Sequence, residues 1–111
     1  MDNARKKELA RSYREQKVRA GIFAVRCTVS GEVWVAQTPD IDKRQNGLWF
    51  QLRMGGFPGK SLQKAWATHG EAEFAFEVLE EVRHENAAMV PLLLKEREEH
   101  WRKALGAAAL V

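Results

Sequence analysis

Between Gly21 and Val29 the chain alternates, with Phe23, Val25 and Cys27 on one side and Ala24 and Arg26 on the other. A period of two predicts a strand. Ser30-Gly31 is a tight turn and Glu32 to Gln37 a second short β-rich run, so the two read as an antiparallel hairpin. Thr38-Pro39-Asp40 predicts a helix start: Thr38 as hydroxyl N-cap, Pro39 at the first helical position, Asp40 facing the positive helix end. That helix is expected to run to about Met54, where Gly55-Gly56-Phe57-Pro58-Gly59 breaks the chain. A short helix from Ser61 to His69 stops at Gly70. Phe74 to Val82 sets Phe74, Phe76 and Val78 against Ala75, Glu77 and Leu79, which predicts a third strand with one buried face. The last helix runs from about Pro91 to Leu105, before Gly106.

Residues 3 to 18 contain no Gly or Pro and are rich in helix formers, with a thin apolar face of Leu9, Tyr13 and Val18. The element order is α, ββ, α, α, β, α. The economical assembly is α/β (α+β): a small three-stranded antiparallel sheet flanked by helices, preceded by an amino-terminal helix. The organisation expected is an arm at 1–20, a body at 21–105 and a short tail at 106–111, with Arg19-Ala20-Gly21 as the hinge.

A chain of 111 residues fits one domain. Cys27 is the only cysteine, so no intramolecular disulfide and no thiolate zinc cluster can form, and a buried strand position is expected for it. The apolar stretches at Ala87 to Leu94 and Ala107 to Val111 are far short of the roughly 20 residues a membrane span needs, and the charged amino terminus has no signal-peptide core. A cytoplasmic protein with no membrane partner is expected. The net charge of +3 is concentrated in the arm, where Arg5, Lys6, Lys7, Arg11, Arg14, Lys17 and Arg19 face only Asp2, Glu8 and Glu15. A basic helix of this kind can follow a phosphate backbone by displacing counterions, and can equally serve as a solvated, solubilising face.

Two charges fall on apolar helix faces. In the last helix Leu94, Trp101 and Leu105 form the core stripe, and Glu98 lies on it between Leu94 and Trp101. In the helix after Pro39, Ile41, Leu48 and Leu52 mark the inner stripe and Arg44 lies on it, while Lys43 points to solvent. Arg offers a rigid fork for phosphate oxygens, and a carboxylate can hold a hard divalent cation. Mutual neutralisation as a Glu–Arg ion pair is the alternative, and periodicity does not separate the two.

At these residues the chain resembles the GIY-YIG nuclease family, most closely its phage group-I-intron homing-endonuclease version. Gly21-Ile22-Phe23 sits at the first motif and Val33-Trp34-Val35-Ala36 at the second. Asp42-Lys43-Arg44 matches the segment bearing the catalytic arginine, and Ser61 to Trp66, Thr68-His69-Gly70 and Phe76 to Glu81 follow the middle region. Glu96 to Trp101 matches the closing helix, with Glu98 at the metal-binding glutamate. The match spans about residues 21 to 105.

The resemblance implies a hydrolase: a divalent-metal-dependent DNA endonuclease in which Glu98 binds Mg²⁺ or Mn²⁺ and Arg44 stabilises charge on the phosphate. Gly21, Phe23, Trp34 and Ala36 would line the site, and Arg5, Lys6, Lys7, Arg11, Arg14, Lys17 and Lys43 would contact DNA. The motif tyrosines are replaced: Phe23 has no hydroxyl, Trp34 has a donor but no acceptor, and Ala36 stands for the motif glycine. Leu48 and Phe57 stand where some members carry histidine. A non-catalytic nucleic-acid-binding module on the same fold is therefore the second reading. A protein–protein adaptor using Trp49, Phe50 and Phe57 is a third.

Overall fold

The structure is a computed structural model that describes residues 18–111. The expected helix over 3 to 18, with its six basic residues from Arg5 to Lys17, lies outside the described residues save for Val18.

Strand β1 (Gly21–Cys27) and strand β2 (Val33–Thr38) form the antiparallel hairpin, in register from Gly21 opposite Thr38 to Arg26 opposite Val33. Gly31 closes the turn at φ 77°, a left-handed conformation that glycine enters without a Cβ penalty. Helix α1 (Ile41–Met54) and helix α2 (Lys60–His69) follow, then strand β3 (Phe74–Glu81), which pairs antiparallel with the other side of β1. Helix α3 (Val90–Leu105) ends at Gly106, also left-handed, and strand β4 (Ala108–Ala109) returns parallel to β2. The sheet order is β3-β1-β2-β4, four strands where the alternation predicts three.

The segment expected as a short tail at 106–111 contributes a strand to the sheet. Ala107 to Ala109 carry no alternation by which a strand could be recognised. What places them is the turn at Gly106 and the anchor that follows: Leu110 is only 4% exposed, in the core with Phe57 and Trp34. Gly59, at the start of α2, lets the two segments meet, because a Cβ there would overlap the Leu110 carbonyl and the Phe57 ring.

Hydrogen bonding of β1 on both edges explains why Gly21 through Val25 are buried without interruption. One sheet face carries Phe23, Val25, Cys27, Trp34 and Ala36 against Leu48, Trp49 and Leu52 of α1 and Leu62, Ala65 and Trp66 of α2. The other carries Ile22, Ala24 and Val35 against Leu94, Trp101 and Leu105 of α3. Helices thus cover both faces, and Cys27 is buried as expected.

Three local expectations change. The N-cap of α1 is Asp40, whose carboxylate accepts from the Lys43 N–H; Thr38 is still paired with Gly21 in the sheet, and its hydroxyl instead accepts from the Asp40 N–H. A cap residue must leave the sheet, so the role moves two residues on. In β3, Phe23 lies opposite Val78 but Ile22 lies opposite Glu80, a bulge that adds Leu79 and inverts the alternation after it. Leu79 packs on the α3 side and Val78 is 45% exposed, so the expected buried face holds only at Phe74 and Phe76. The expected hinge is tied down: the Arg19 and Ala20 carbonyls accept from the Ile41 and Val82 N–H groups, and Arg19 forks onto Asp42 at 2.6 and 3.1 Å. Of the proposed adaptor aromatics, Trp49 and Phe57 are buried and only Phe50 is exposed.

Candidate functional site

Glu98 projects from α3 toward the sheet, as its position between Leu94 and Trp101 requires. Its side chain is 21% exposed, and its Oε2 accepts from the Gln37 backbone N–H at 2.9 Å. Gln37 lies two residues past Val35, the last β2 residue paired with β4. The carboxylate thus takes the donor that a longer β4 would have used, at a stretch of the β2 edge that β4 leaves uncovered. Glu98 Oε1 has the guanidinium of Arg102, one helical turn on, at 3.7 Å.

Arg44 comes to the same end of β2 from the opposite face of the sheet. Its guanidinium carbon sits 5.9 Å from the centroid of the Phe23 ring, a cation–π placement. Among the described residues no carboxylate lies within ion-pairing distance of it. Burial lowers its pKa from the ordinary arginine value, and a guanidinium so perturbed is still protonated near neutrality. Arg44 lines an open hollow of about 360 Å³ with Gln37, Thr38, Pro39, Asp40 and the exposed Lys43. Gln37 is the joint between the two charges: its N–H holds Glu98 and its residue lines the hollow with Arg44. Glu98 and Arg44 are not each other's ion-pair partners. A larger hollow of about 860 Å³, between residues 18–20, the end of β3 and the start of α3, contains neither.

The motif positions lie beneath this hollow rather than in it. Phe23 is fully buried, stacked on Phe76 at 4.9 Å, and meets the site only through the face it offers Arg44. Trp34 is also fully buried and donates its Nε1–H to Ser61 Oγ at 2.7 Å, so that donor is already used. Ala36 belongs to the same core. Gly21 is demanded by packing, since a Cβ would overlap the Glu80 carbonyl and the Ile41 side chain. His69 lies at the end of α2, and His100 sits edge-on to Trp101 on the surface.

Ser61→Ala is expected to destabilise the fold by about 1–3 kcal/mol, the cost of an unsatisfied buried donor. Equilibrium denaturation should detect it, and Trp34→Phe in the same background should recover part of the loss.

The sequence reading did not single out Gln37, Asp40 as cap, or Arg102. Gln37 acts through its backbone, which no side-chain pattern reports. Arg102 had one available signal, its place four residues after Glu98.

Among the described residues, no group of three or more His, Cys, Asp or Glu could hold a metal ion. Mg²⁺ asks for less, since it keeps several waters and takes one or two carboxylates plus phosphate oxygens. Glu98, with Oε2 fixed and Oε1 bearing no hydrogen bond among the described residues, fits that donor set.

No family model matches the chain. It is 28% identical over 88 residues to "Intron-associated endonuclease 1" of Enterobacteria phage T4, a match covering 79% of this chain and 34% of that protein. The chain therefore spans about a third of the length of the curated relative it matches. One solved structure of the catalytic domain of the intron endonuclease I-TevI, a variant, superposes with a TM-score of 0.68 at 28% identity, over 79% of this chain and 84% of the other. A second structure of that catalytic domain gives 0.67 at 29% identity, over 78% and 88%. Sequence and fold agree over the body of the chain, which is homologous to the catalytic domain of the intron endonuclease I-TevI.

Proposed function

We propose that this domain is a divalent-metal-dependent DNA endonuclease that hydrolyses phosphodiester bonds at the open end of β2. The observation that supports this reading best is the convergence of Glu98 and Arg44 on Gln37 from opposite sheet faces without pairing with each other. Two part-buried opposite charges set only for stability would gain by pairing with one another, and these do not.

In this reading Arg44 forks onto a non-bridging phosphate oxygen. Partial burial strengthens that contact, because it acts in a lower dielectric than water. Lys43 adds an exposed cation along the backbone. Glu98 would hold Mg²⁺ or Mn²⁺ through Oε1, with Oε2 fixed by Gln37. When bound, the metal polarises the phosphate and lowers the pKa of water. Neither Phe23 nor Trp34 can accept the proton of the attacking water. Losing one acid–base participant typically costs about 10² to 10⁴ in rate, so slow cleavage is expected. The basic residues of the arm supply affinity that falls steeply with salt.

The test is incubation of the purified chain with supercoiled plasmid, forked and single-stranded DNA plus Mg²⁺ or Mn²⁺. Nicking well above a Glu98→Ala control is expected, and cleavage no greater than that control rejects the enzyme.

One observation favours a second reading, a DNA-binding module without catalysis: both motif aromatics are wholly buried and carry no hydroxyl. Binding would then survive Glu98→Gln and fall at least tenfold on deletion of residues 1–17, a boundary that spares the Arg19–Asp42 contact. This binding in filter assays at low salt, together with no nicking above the Glu98→Ala control, identifies the module; nicking above that control rejects it.

A further inference from the structure

We propose that Arg102 is a resident counter-ion of Glu98 which a divalent cation must displace, and so sets the metal affinity of the site. This rests on the reading of Glu98 as the metal ligand.

The geometry at the carboxylate is lopsided. Oε2 is fixed by the Gln37 N–H at 2.9 Å, whereas Oε1 meets only the Arg102 Nη1 at 3.7 Å. That separation is too long for a hydrogen bond. Every other arginine–carboxylate pair among the described residues includes a direct one: Arg19–Asp42, Arg26–Glu77, Arg53–Glu71, Arg83–Glu81 and Arg97–Glu80. Arg102 is therefore held near Glu98 by charge alone. It sits on the same helix face, its side chain is 36% exposed, and its outer end has solvent to move into.

A half-buried carboxylate with no cation nearby is costly, and Arg102 relieves that cost without closing the oxygen. A hard divalent cation prefers that same oxygen. Two cations cannot share it, so metal binding is an exchange that expels the guanidinium. The exchange lowers metal affinity, and salt weakens Arg102's competition by screening it. A purely structural Arg102, neutralising the carboxyl end of α3, would leave metal affinity unchanged.

The experiment is Mn²⁺ titration of the full chain, followed by loss of the free-ion EPR signal, for wild type, Arg102→Gln, Arg102→Met, Arg102→Lys and Glu98→Gln. Thermal melting checks that each is folded. Arg102→Gln and Arg102→Met are expected to bind Mn²⁺ about tenfold more tightly at low ionic strength, an order of magnitude set by removing one cation next to the site. The gap should narrow at 0.5 M KCl, and Arg102→Lys should remain near wild type. Unchanged or weaker Mn²⁺ binding in the neutral variants, with Glu98→Gln still abolishing it, overturns the role of Arg102 alone. Absence of Mn²⁺ binding in wild type and neutral variants alike overturns the metal-ligand reading and this proposal with it.

Discussion

Arg44→Ala is expected to reduce divalent-dependent nicking by about 10² to 10³, the loss usual when one preorganised charge donor is removed from a developing oxyanion. The guanidinium is half-buried above the Phe23 ring and has no carboxylate partner among the described residues, so no other described group inherits its task. Arg44→Lys should recover only a small part, because an ammonium neither forks nor stacks flat on an aromatic face. Stability should fall by no more than about 0.5–2 kcal/mol in Arg44→Ala, the contribution of a cation–π contact, and by less in Arg44→Lys, which keeps a cation. The readouts are single-turnover nicking rates with melting temperatures alongside. Full activity in Arg44→Ala would remove the arginine from the mechanism whatever Glu98 does.

Leu110→Ala is expected to cost about 2–5 kcal/mol, the range for truncating a buried leucine. For a domain of this size that corresponds to a melting temperature lower by roughly 10 °C or more. Leu110 is the plug that holds β4 beside β2, in the same core cluster as Trp34 and Phe57 and with its carbonyl against Gly59. Its neighbour Val111 is exposed, so Val111→Ala should stay within about 0.5 kcal/mol of wild type. Equal effects of the two variants in thermal denaturation would mean that the last residues do not anchor β4 in the core. The consequence reaches the site, because β4 defines where the open edge of β2 begins and therefore where Glu98 finds a free N–H.

Much of this molecule was legible in one dimension. The hairpin, α1 to Met54, α2 to His69 and α3 to Leu105 follow from period, turn chemistry and stop residues, and the structure places them within a residue or two. The same periodicity put Arg44 and Glu98 on inward faces, and both do lean inward. What periodicity could not supply was their relation. Mutual neutralisation and joint action have identical spacings, and only the sheet, with α1 on one side and α3 on the other, shows that the two charges are not paired with each other. The motif positions show the opposite failure. Phe23 and Trp34 were expected to line the site, yet without hydroxyls to keep solvated they sink fully into the core, and Trp34 settles its N–H on Ser61.

The sequence alone thus determined the elements, their order and the two charges turned against their helix faces, because local propensity, capping and amphipathic period act over a few residues. The tertiary structure alone decided the fourth strand, the bulge at Leu79, the cap at Asp40 and the meeting of Glu98 with Gln37. Each of these depends on a partner distant in the chain, and a backbone donor at a strand edge, or a carbonyl that closes on a glycine, has no side chain by which a pattern could announce it.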